Sequence, residues 1–170
     1  GVKYEVLPAF LNDDDTYTFA DANAGGTWRV CNPKAEMSEF FARNGSANGN
    51  LVSLGRMARE WRSWNAVPIS GMLIDTLAYQ FMETWPHRRE SYLYHDFMTR
   101  DFFRFLAGQP EDQQYWRAPG SGSWVYGGGF RYKARQAELR ASEAIVHQAK
   151  GEDWSAKQKY REIYGPKFPD

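Results

Sequence analysis

Two runs of residues in this sequence have types and spacing that could serve chemistry. Asp13 and Asp15 form an Asp-x-Asp pair that could hold magnesium through carboxylate oxygens. Three acids in a row between strands are more typical of a solvated turn. The glycine-rich run at residues 120–123 resembles a loop that cradles phosphate, but no Gly-Lys-Ser/Thr follows to complete a P-loop. The sequence therefore favours a turn at the first run and a flexible connection at the second.

Three arginines form a further candidate group on a helix predicted over residues 50–64. At 100° per residue, Arg59 lies about 60° from both Arg56 and Arg62, and all three fall outside the apolar arc of the helix. They could line one solvent-facing cleft that binds an anion. Ordinary surface arginines would show the same pattern, so both interpretations stay open.

The elements that must position these residues divide the chain into a short β-rich beginning and a long helical remainder. Alternating or β-branched stretches predict strands at residues 2–7, 16–19 and 27–30. Helical periodicity, Pro and Gly predict helices at about 34–43, 50–64, 68–85, 91–107, after 129, and 154–164, with a turn-rich link at 108–129. The predicted fold class is mainly α: a helical bundle with a small N-terminal β-element.

Composition and charge limit the function classes. The 21 Lys and Arg residues balance 21 Asp and Glu residues, which argues against strong nucleic-acid binding, because phosphate contacts need a basic excess. Cys31 is the single cysteine, so no internal disulfide is expected and a cytoplasmic location fits. No apolar run reaches the roughly 18 residues of a membrane span, so no membrane partner is expected.

Several short motifs follow one another in an order that has a known parallel. They are Glu-Val-Leu-Pro-Ala-Phe at residues 5–10, Tyr-Thr-Phe at 17–19, Thr-Trp at 27–28, Asn-Pro at 32–33, Leu-Gly-Arg-Met-Ala-Arg-Glu-Trp at 54–61, and Ser70 ahead of Leu-Ile-Asp at 73–75. Their order and spacing resemble the cyclic GMP-AMP synthase-like and oligoadenylate synthetase-like nucleotidyltransferases (CD-NTases), particularly the bacterial enzymes of anti-phage signalling. The tail at 154–169 resembles the ending of the bacterial members.

The resemblance implies that nucleoside triphosphates are joined into cyclic di- or oligonucleotide second messengers. In such enzymes two Mg²⁺ (or Mn²⁺) ions, held by three carboxylates, activate a ribose hydroxyl and steady the leaving pyrophosphate. Two of these carboxylates lie in an Asp-x-Asp after a Gly-Ser helix start, and this sequence contains no such segment. Glu5 corresponds to the third, as a catalytic and metal-binding residue, with Glu where the family usually has Asp.

The resemblance also implies a nucleotide-binding group. Arg59 falls where the family places a Lys that binds the triphosphate, and Arg56 belongs to the same motif. Ser70, near a helix N-terminus, could donate to a terminal phosphate, where the helix dipole already favours anions. A helix-start serine without a ligand would occupy the same position.

These expectations define a domain assignment and its alternatives. Residues 1–33 are expected to be the end of a nucleotidyltransferase catalytic sheet, and residues 34–170 a C-terminal helical domain. The expected partners are nucleoside triphosphates and a regulatory protein, and the chain alone is expected to be inactive. The alternatives are a non-catalytic helical module that binds a nucleotide or a protein, and a stable fragment without activity.

Overall fold

The computed structural model describes residues 6–22 and 26–168, which begin with a three-stranded antiparallel sheet. The strands β1 (Ala9–Leu11), β2 (Tyr17–Asp21) and β3 (Thr27–Cys31) follow one another in that order across the sheet. The register pairs Phe10 with Thr18 and Thr18 with Val30. Most of the strand predicted at 2–7 lies outside the described residues. Pairing begins at Ala9, because Pro8 cannot donate a ladder hydrogen bond.

The acidic run between β1 and β2 forms a turn. Asp15 has a left-handed backbone (φ 63°), and the Asn12 N–H donates to the Thr16 carbonyl at 2.9 Å. The Thr16 hydroxyl donates to Asp14 at 2.5 Å, and this bond lowers the pKa of the exposed Asp14 carboxyl. Asp15 faces Lys34 at 3.5 Å. The prediction of a solvated turn is confirmed.

The first helix, α1 (Pro33–Ser46), has a side-chain cap at its N-terminus and ends later than predicted. Pro33 occupies its first turn, and the side chain of Asn32 accepts a hydrogen bond from the backbone N–H of Ala35. The predicted end at residues 44–45 was wrong by a turn. The chain reverses instead at Asn48 and Gly49, which both have left-handed backbones.

The next two helices are antiparallel neighbours that carry most of the candidate site. The helix α2 (Asn50–Trp64) has the predicted bounds, and α3 (Gly71–Thr84) begins later than the predicted start at Pro68. The side chain of Ser70 caps α3, whereas Pro68 belongs to the preceding turn, where its carbonyl packs against Gly128. Seven residues of α3 are buried. They include the polar Thr76, which is fully buried.

The remaining helices close the bundle. A 3-10 turn (Tyr92–Tyr94) precedes α4 (His95–Ala107), so the helix predicted over 91–107 is divided into two. The helix α5 (Arg131–Ala149) packs between α4 and α6 (Asp153–Tyr164) along the small residues Ala134, Ala137, Ala141 and Ala144. Glu152 occupies the cap position of α6, without a side-chain hydrogen bond.

The link at 108–129 contains an ordered β-hairpin that the sequence analysis did not predict. The strands β4 (Tyr115–Arg117) and β5 (Trp124–Tyr126) pair antiparallel, with Trp116 and Val125 buried against the bundle. The tip of the hairpin rests on the start of α1, where Ser121 donates to Glu36 at 2.5 Å.

The helices therefore make the core, and the fold is mainly α with small β-elements, as predicted. Trp61 of α2 packs on Phe103 of α4 with ring centroids 4.9 Å apart, and Thr99 bonds to the hydroxyl of Tyr164 at 3.0 Å. Within residues 6–22 and 26–168, no helix has the length and apolarity needed to cross a membrane.

Candidate phosphate-binding site

Arg59 is held in place by two acceptors on different helices. Its Nη1 donates to the carbonyl of Gly55 one turn earlier at 3.0 Å, and its Nη2 lies 2.5 Å from Oδ2 of Asp75 on α3. The Arg59 side chain is 44% exposed and that of Asp75 27% exposed. The ion pair therefore sits at the surface of the α2–α3 contact, with much of the guanidinium open to solvent.

Gly55 leaves the space that this arginine uses. A Cβ atom at position 55 would stand 3.0 Å from Nη1 of Arg59 and 3.5 Å from Oδ1 of Asp75. The first distance is tighter than ordinary van der Waals contact, so a larger residue would displace the guanidinium. The glycine thus allows Arg59 to lie along its own helix and still reach α3.

Ser70 has the predicted place at the start of a helix. Its Oγ accepts a hydrogen bond from the Leu73 N–H at 3.1 Å, and its backbone is extended (φ −75°, ψ 156°), as a cap requires. The hydroxyl proton is not used in this bond, so the exposed side chain keeps one donor. Asp75, the partner of Arg59, lies five residues further along the same helix.

Arg56 and Arg62 lie on the exposed side of α2, as the helical wheel predicts. Neither side chain makes a hydrogen bond or ion pair with another residue in the described part of the chain. Arg59 differs from both because hydrogen bonds to Gly55 and Asp75 fix its guanidinium. The structure therefore distinguishes one anchored arginine from two solvent-facing ones, a difference that the wheel does not contain.

A cavity of about 250 Å³ lies between α1 and α3 beside this ion pair. Its walls are mostly apolar and include Met37, Phe40 and Met72. Asp75 and Thr76 also line it, and Oδ1 of Asp75 and Oγ1 of Thr76 are buried without a hydrogen-bond partner among the described residues. Arg59 therefore pairs with Oδ2 of Asp75, while Oδ1 has no partner among the described residues.

The carboxylates that the structure describes do not fit a two-metal centre. Glu5, the predicted catalytic and metal-binding residue, lies outside the described residues. Across residues 6–22 and 26–168, no group of three His, Cys, Asp or Glu side chains could hold a metal ion. No catalytic step through Mg²⁺ can be built from these side chains, and Arg59 and Ser70 bring hydrogen-bond donors without metal ligands.

The sheet and α1 form the part of the chain with a recognisable relationship. Residues 1–44 match the family model of the Second Messenger Oligonucleotide or Dinucleotide Synthetase domain (SMODS). The match covers the three strands and nearly all of α1, and it confirms the resemblance to CD-NTase-like nucleotidyltransferases over this segment. SMODS proteins synthesise nucleotide second messengers, and such nucleotidyltransferases generally use divalent metals. No curated protein matches the chain.

Two contributors to the site escaped the sequence analysis. Asp75 was placed on the polar half of α3, but its pairing with Arg59 spans 16 positions and two helices. Gly55 lies in the motif at residues 54–61, at a position where the motif requires no particular residue. A small residue four positions before an arginine is the signal that could have indicated space for a folded-back guanidinium.

Proposed function

We propose that this chain is the C-terminal part of a nucleotidyltransferase that joins nucleoside triphosphates into cyclic di- or oligonucleotide second messengers in anti-phage signalling. The match of residues 1–44 to the SMODS family carries the proposal. Residues 1–33 would complete a catalytic sheet, and residues 34–170 would form the helical domain that closes on the nucleotide. A cytoplasmic location fits the single Cys31.

The exposed face of the sheet supports this assignment. Phe10, Trp28 and Val30 share one face through the strand register, and they are 67%, 65% and 58% exposed. The rings of Phe10 and Trp28 lie 6.0 Å apart. Contiguous apolar surface of this kind marks an interface. A further layer of a catalytic domain would cover it.

The phosphate-binding role rests on Arg59 and Ser70, with Arg56 as an additional exposed cation. An anchored guanidinium loses less rotational freedom on binding than a mobile one, and its remaining N–H groups can meet phosphate oxygens. Ser70 adds a hydroxyl donor at the positive end of α3. Mg²⁺ or Mn²⁺ would be held by carboxylates outside the described residues, with Glu5 as one ligand.

The first test is nucleotide binding by the 170-residue chain. ATP is titrated by isothermal calorimetry into the parent chain, Arg59→Ala and Arg59→Lys. A charge-assisted contact contributes about 1.5 to 3 kcal/mol, so Arg59→Ala should weaken binding about ten- to a hundredfold. Arg59→Lys should lose less, because the charge is kept.

Two control variants separate this effect from net charge. Arg135→Ala removes an exposed arginine of α5, and Asp13→Ala removes an acid of the β1–β2 turn. Both should retain the parent affinity. Equal ATP affinity in Arg59→Ala and Arg135→Ala would refute the phosphate site.

The second test is synthesis by the longer gene product that includes the residues upstream of Gly1. Incubated with labelled nucleoside triphosphates and Mg²⁺, it should form a phosphodiester-linked product, separated by thin-layer chromatography. Glu5→Gln should reduce its formation, because the amide cannot supply the metal with a charged oxygen. A longer protein that binds ATP but never forms such a product would contradict the enzyme assignment and leave the binding site standing.

A further inference from the structure

The β4–β5 hairpin is fastened to the bundle by its inner side. Trp116 is 3% exposed, and its Nε1 donates to the side chain of Gln109 at 3.0 Å. The guanidinium of Arg131 donates to the carbonyls of Gln109, Pro110 and Gln113. These bonds hold the loop that precedes the hairpin against the start of α5. The hairpin is therefore a rigid platform, although its sequence has the character of a flexible link.

The outer side of the platform carries aromatic rings. Tyr115 pairs with Tyr126 and Arg117 with Trp124 across the two strands, so all four side chains lie on one face. The three rings are 49% to 61% exposed. The ring of Tyr115 stands nearly perpendicular to those of Trp124 and Tyr126, at 80° and 73°, with centroids 4.6 and 6.5 Å away. Edge-to-face contacts leave ring faces and edges available to a ligand.

Beside these rings runs an open groove of about 870 Å³, and some of its hydrogen-bonding groups have no partner among the described residues. It extends from the hairpin to α3 and the end of α4. The Nε1 of Trp124 and the side-chain amides of Gln80 and Gln114 line it and form no hydrogen bond in the described part of the chain. Arg117 also lines the groove, stacked on Trp124 with its guanidinium carbon 3.2 Å from the ring centroid. Because Trp and Arg only donate, the groove favours a ligand rich in acceptors.

The charge of the groove narrows the class of ligand. Its lining includes one acid, Asp112, and one base, Arg117, so the two formal charges cancel. A phosphate backbone gains no net attraction there. Tyr, Trp and Arg are the residue types that dominate protein interfaces. A neutral peptide fits these properties better than a nucleic acid.

We propose that this groove binds a proline-rich segment of a protein partner in the polyproline II conformation. Such a segment has no internal hydrogen bonds, so its carbonyl oxygens are free to accept from Trp124 and the glutamine amides. Proline lacks an N–H, so a proline-rich segment brings no backbone donor that would need an acceptor in the groove. Its rings pack on aromatic side chains, as in other domains that read such segments. The proposal goes beyond the proposed synthase activity and does not depend on it.

Fluorescein-labelled decaproline, titrated with the 170-residue chain and followed by fluorescence anisotropy, tests the proposal. Saturable binding is expected, and none is expected for a Gly-Ser peptide of equal length. Trp124→Ala and Tyr115→Ala should weaken binding about tenfold or more, as removal of an interface anchor does. Gln80→Leu, which lies on α3 and leaves the hairpin intact, should weaken it severalfold. Trp154→Ala on α6, where the side chain is 73% exposed, is the matched control and should bind like the parent.

Each other result overturns the proposal. Absence of saturation at chain concentrations up to about 1 mM would show no useful affinity for decaproline. Equal binding of the Gly-Ser peptide, or of the Trp124→Ala and Gln80→Leu variants, would show that the groove is not the site. Tighter binding of oligo-dT or maltohexaose would assign the rings to nucleic acid or carbohydrate. Trp124-dependent self-association in sedimentation would assign them to a second copy of the chain.

Discussion

The ion pair between Arg59 and Asp75 leads to an asymmetric prediction for stability. Asp75→Ala removes a partly exposed pair, which contributes about 0.5 to 1 kcal/mol. It also removes a carboxylate oxygen that is buried without a partner. Arg59→Ala instead leaves the whole carboxylate without a partner in the described structure. The charge of Asp75, whose Oδ1 is already buried without a partner, then has no counter-cation, at a cost of about 1 to 2 kcal/mol.

We therefore expect Arg59→Ala to lower the free energy of unfolding by about 2 kcal/mol and Asp75→Ala by less than about 1 kcal/mol. The double variant should resemble Asp75→Ala, because deleting the carboxylate removes the penalty. The expected coupling energy is about 1 kcal/mol or more. Urea denaturation of the parent and three variants, followed by circular dichroism, measures all four values.

The same variants separate the structural role of Arg59 from phosphate binding. Asp75→Ala keeps the guanidinium, so ATP affinity should stay within a fewfold of the parent, whereas Arg59→Ala loses the contact. Additive stability effects of the two substitutions would show that the pair contributes nothing in solution. If ATP affinity fell in proportion to the free energy of unfolding in every variant, Arg59 would have only a structural role.

Further predictions concern catalysis, nucleic acid, packing and pH. The 170-residue chain, given mixed labelled triphosphates with Mg²⁺ or Mn²⁺, should form no phosphodiester product, because its sequence lacks the Gly-Ser…Asp-x-Asp segment. Duplex DNA and RNA should bind only weakly and in a salt-sensitive way in anisotropy titrations, because the net charge is zero. Gly128→Ala should cost about 3 kcal/mol or more in urea denaturation, because the new Cβ would stand 1.7 Å from the Pro68 carbonyl oxygen. Gly129→Ala, where the nearest atom would be 3.7 Å away, should change stability by less than about 0.5 kcal/mol. Burial lowers the pKa of His95 below its ordinary 6.5. The contribution of its neutral form to stability is therefore fully present above pH 6.5 and is lost as the pH falls below 6.5 through the lowered pKa, which NMR titration of the ring should show.

Each of these predictions has a result that would contradict it. A metal-dependent product from the pure chain would overturn the motif assignment, and submicromolar duplex affinity at physiological salt would overturn the charge argument. A stable Gly128→Ala variant would show that the hairpin and the 67–69 turn can separate. A His95 ring that titrates at or above pH 6.5 would place it in contact with water.

Sequence patterns such as helical periodicity and turn residues predicted the elements whose signals lie within their own residues. The helix α2 was predicted at both ends, because its apolar arc and the reversal at residues 48–49 are local features. The strands β2 and β3 were predicted to within two residues, whereas β1 (Ala9–Leu11) begins after the strand predicted at residues 2–7. The stripe of alanines on α5 predicted close helix contact, because small residues allow helices to approach.

Local rules failed where a distant residue decides the conformation. Pro68 fits a first helical turn by itself, but the packing of its carbonyl on Gly128 places it in the turn before α3. The polar side chain of Thr76 is fully buried beside the cavity between α1 and α3, which no pattern within one helix predicts. The β4–β5 hairpin has strands of only three residues, and the bond from Trp116 to Gln109 and the bonds from Arg131 to the preceding loop hold it in place.

By itself the sequence determined the helical class, the capped start at Ser70, the exposed arginines of α2 and the resemblance that the SMODS match confirms at residues 1–44. These depend on side-chain periodicity and on motifs within one segment. Only the tertiary structure decided that Arg59 pairs with Asp75 and that three aromatic rings form one exposed face on an anchored hairpin. Such pairings join residues far apart in the chain, and their distances follow from how the elements pack.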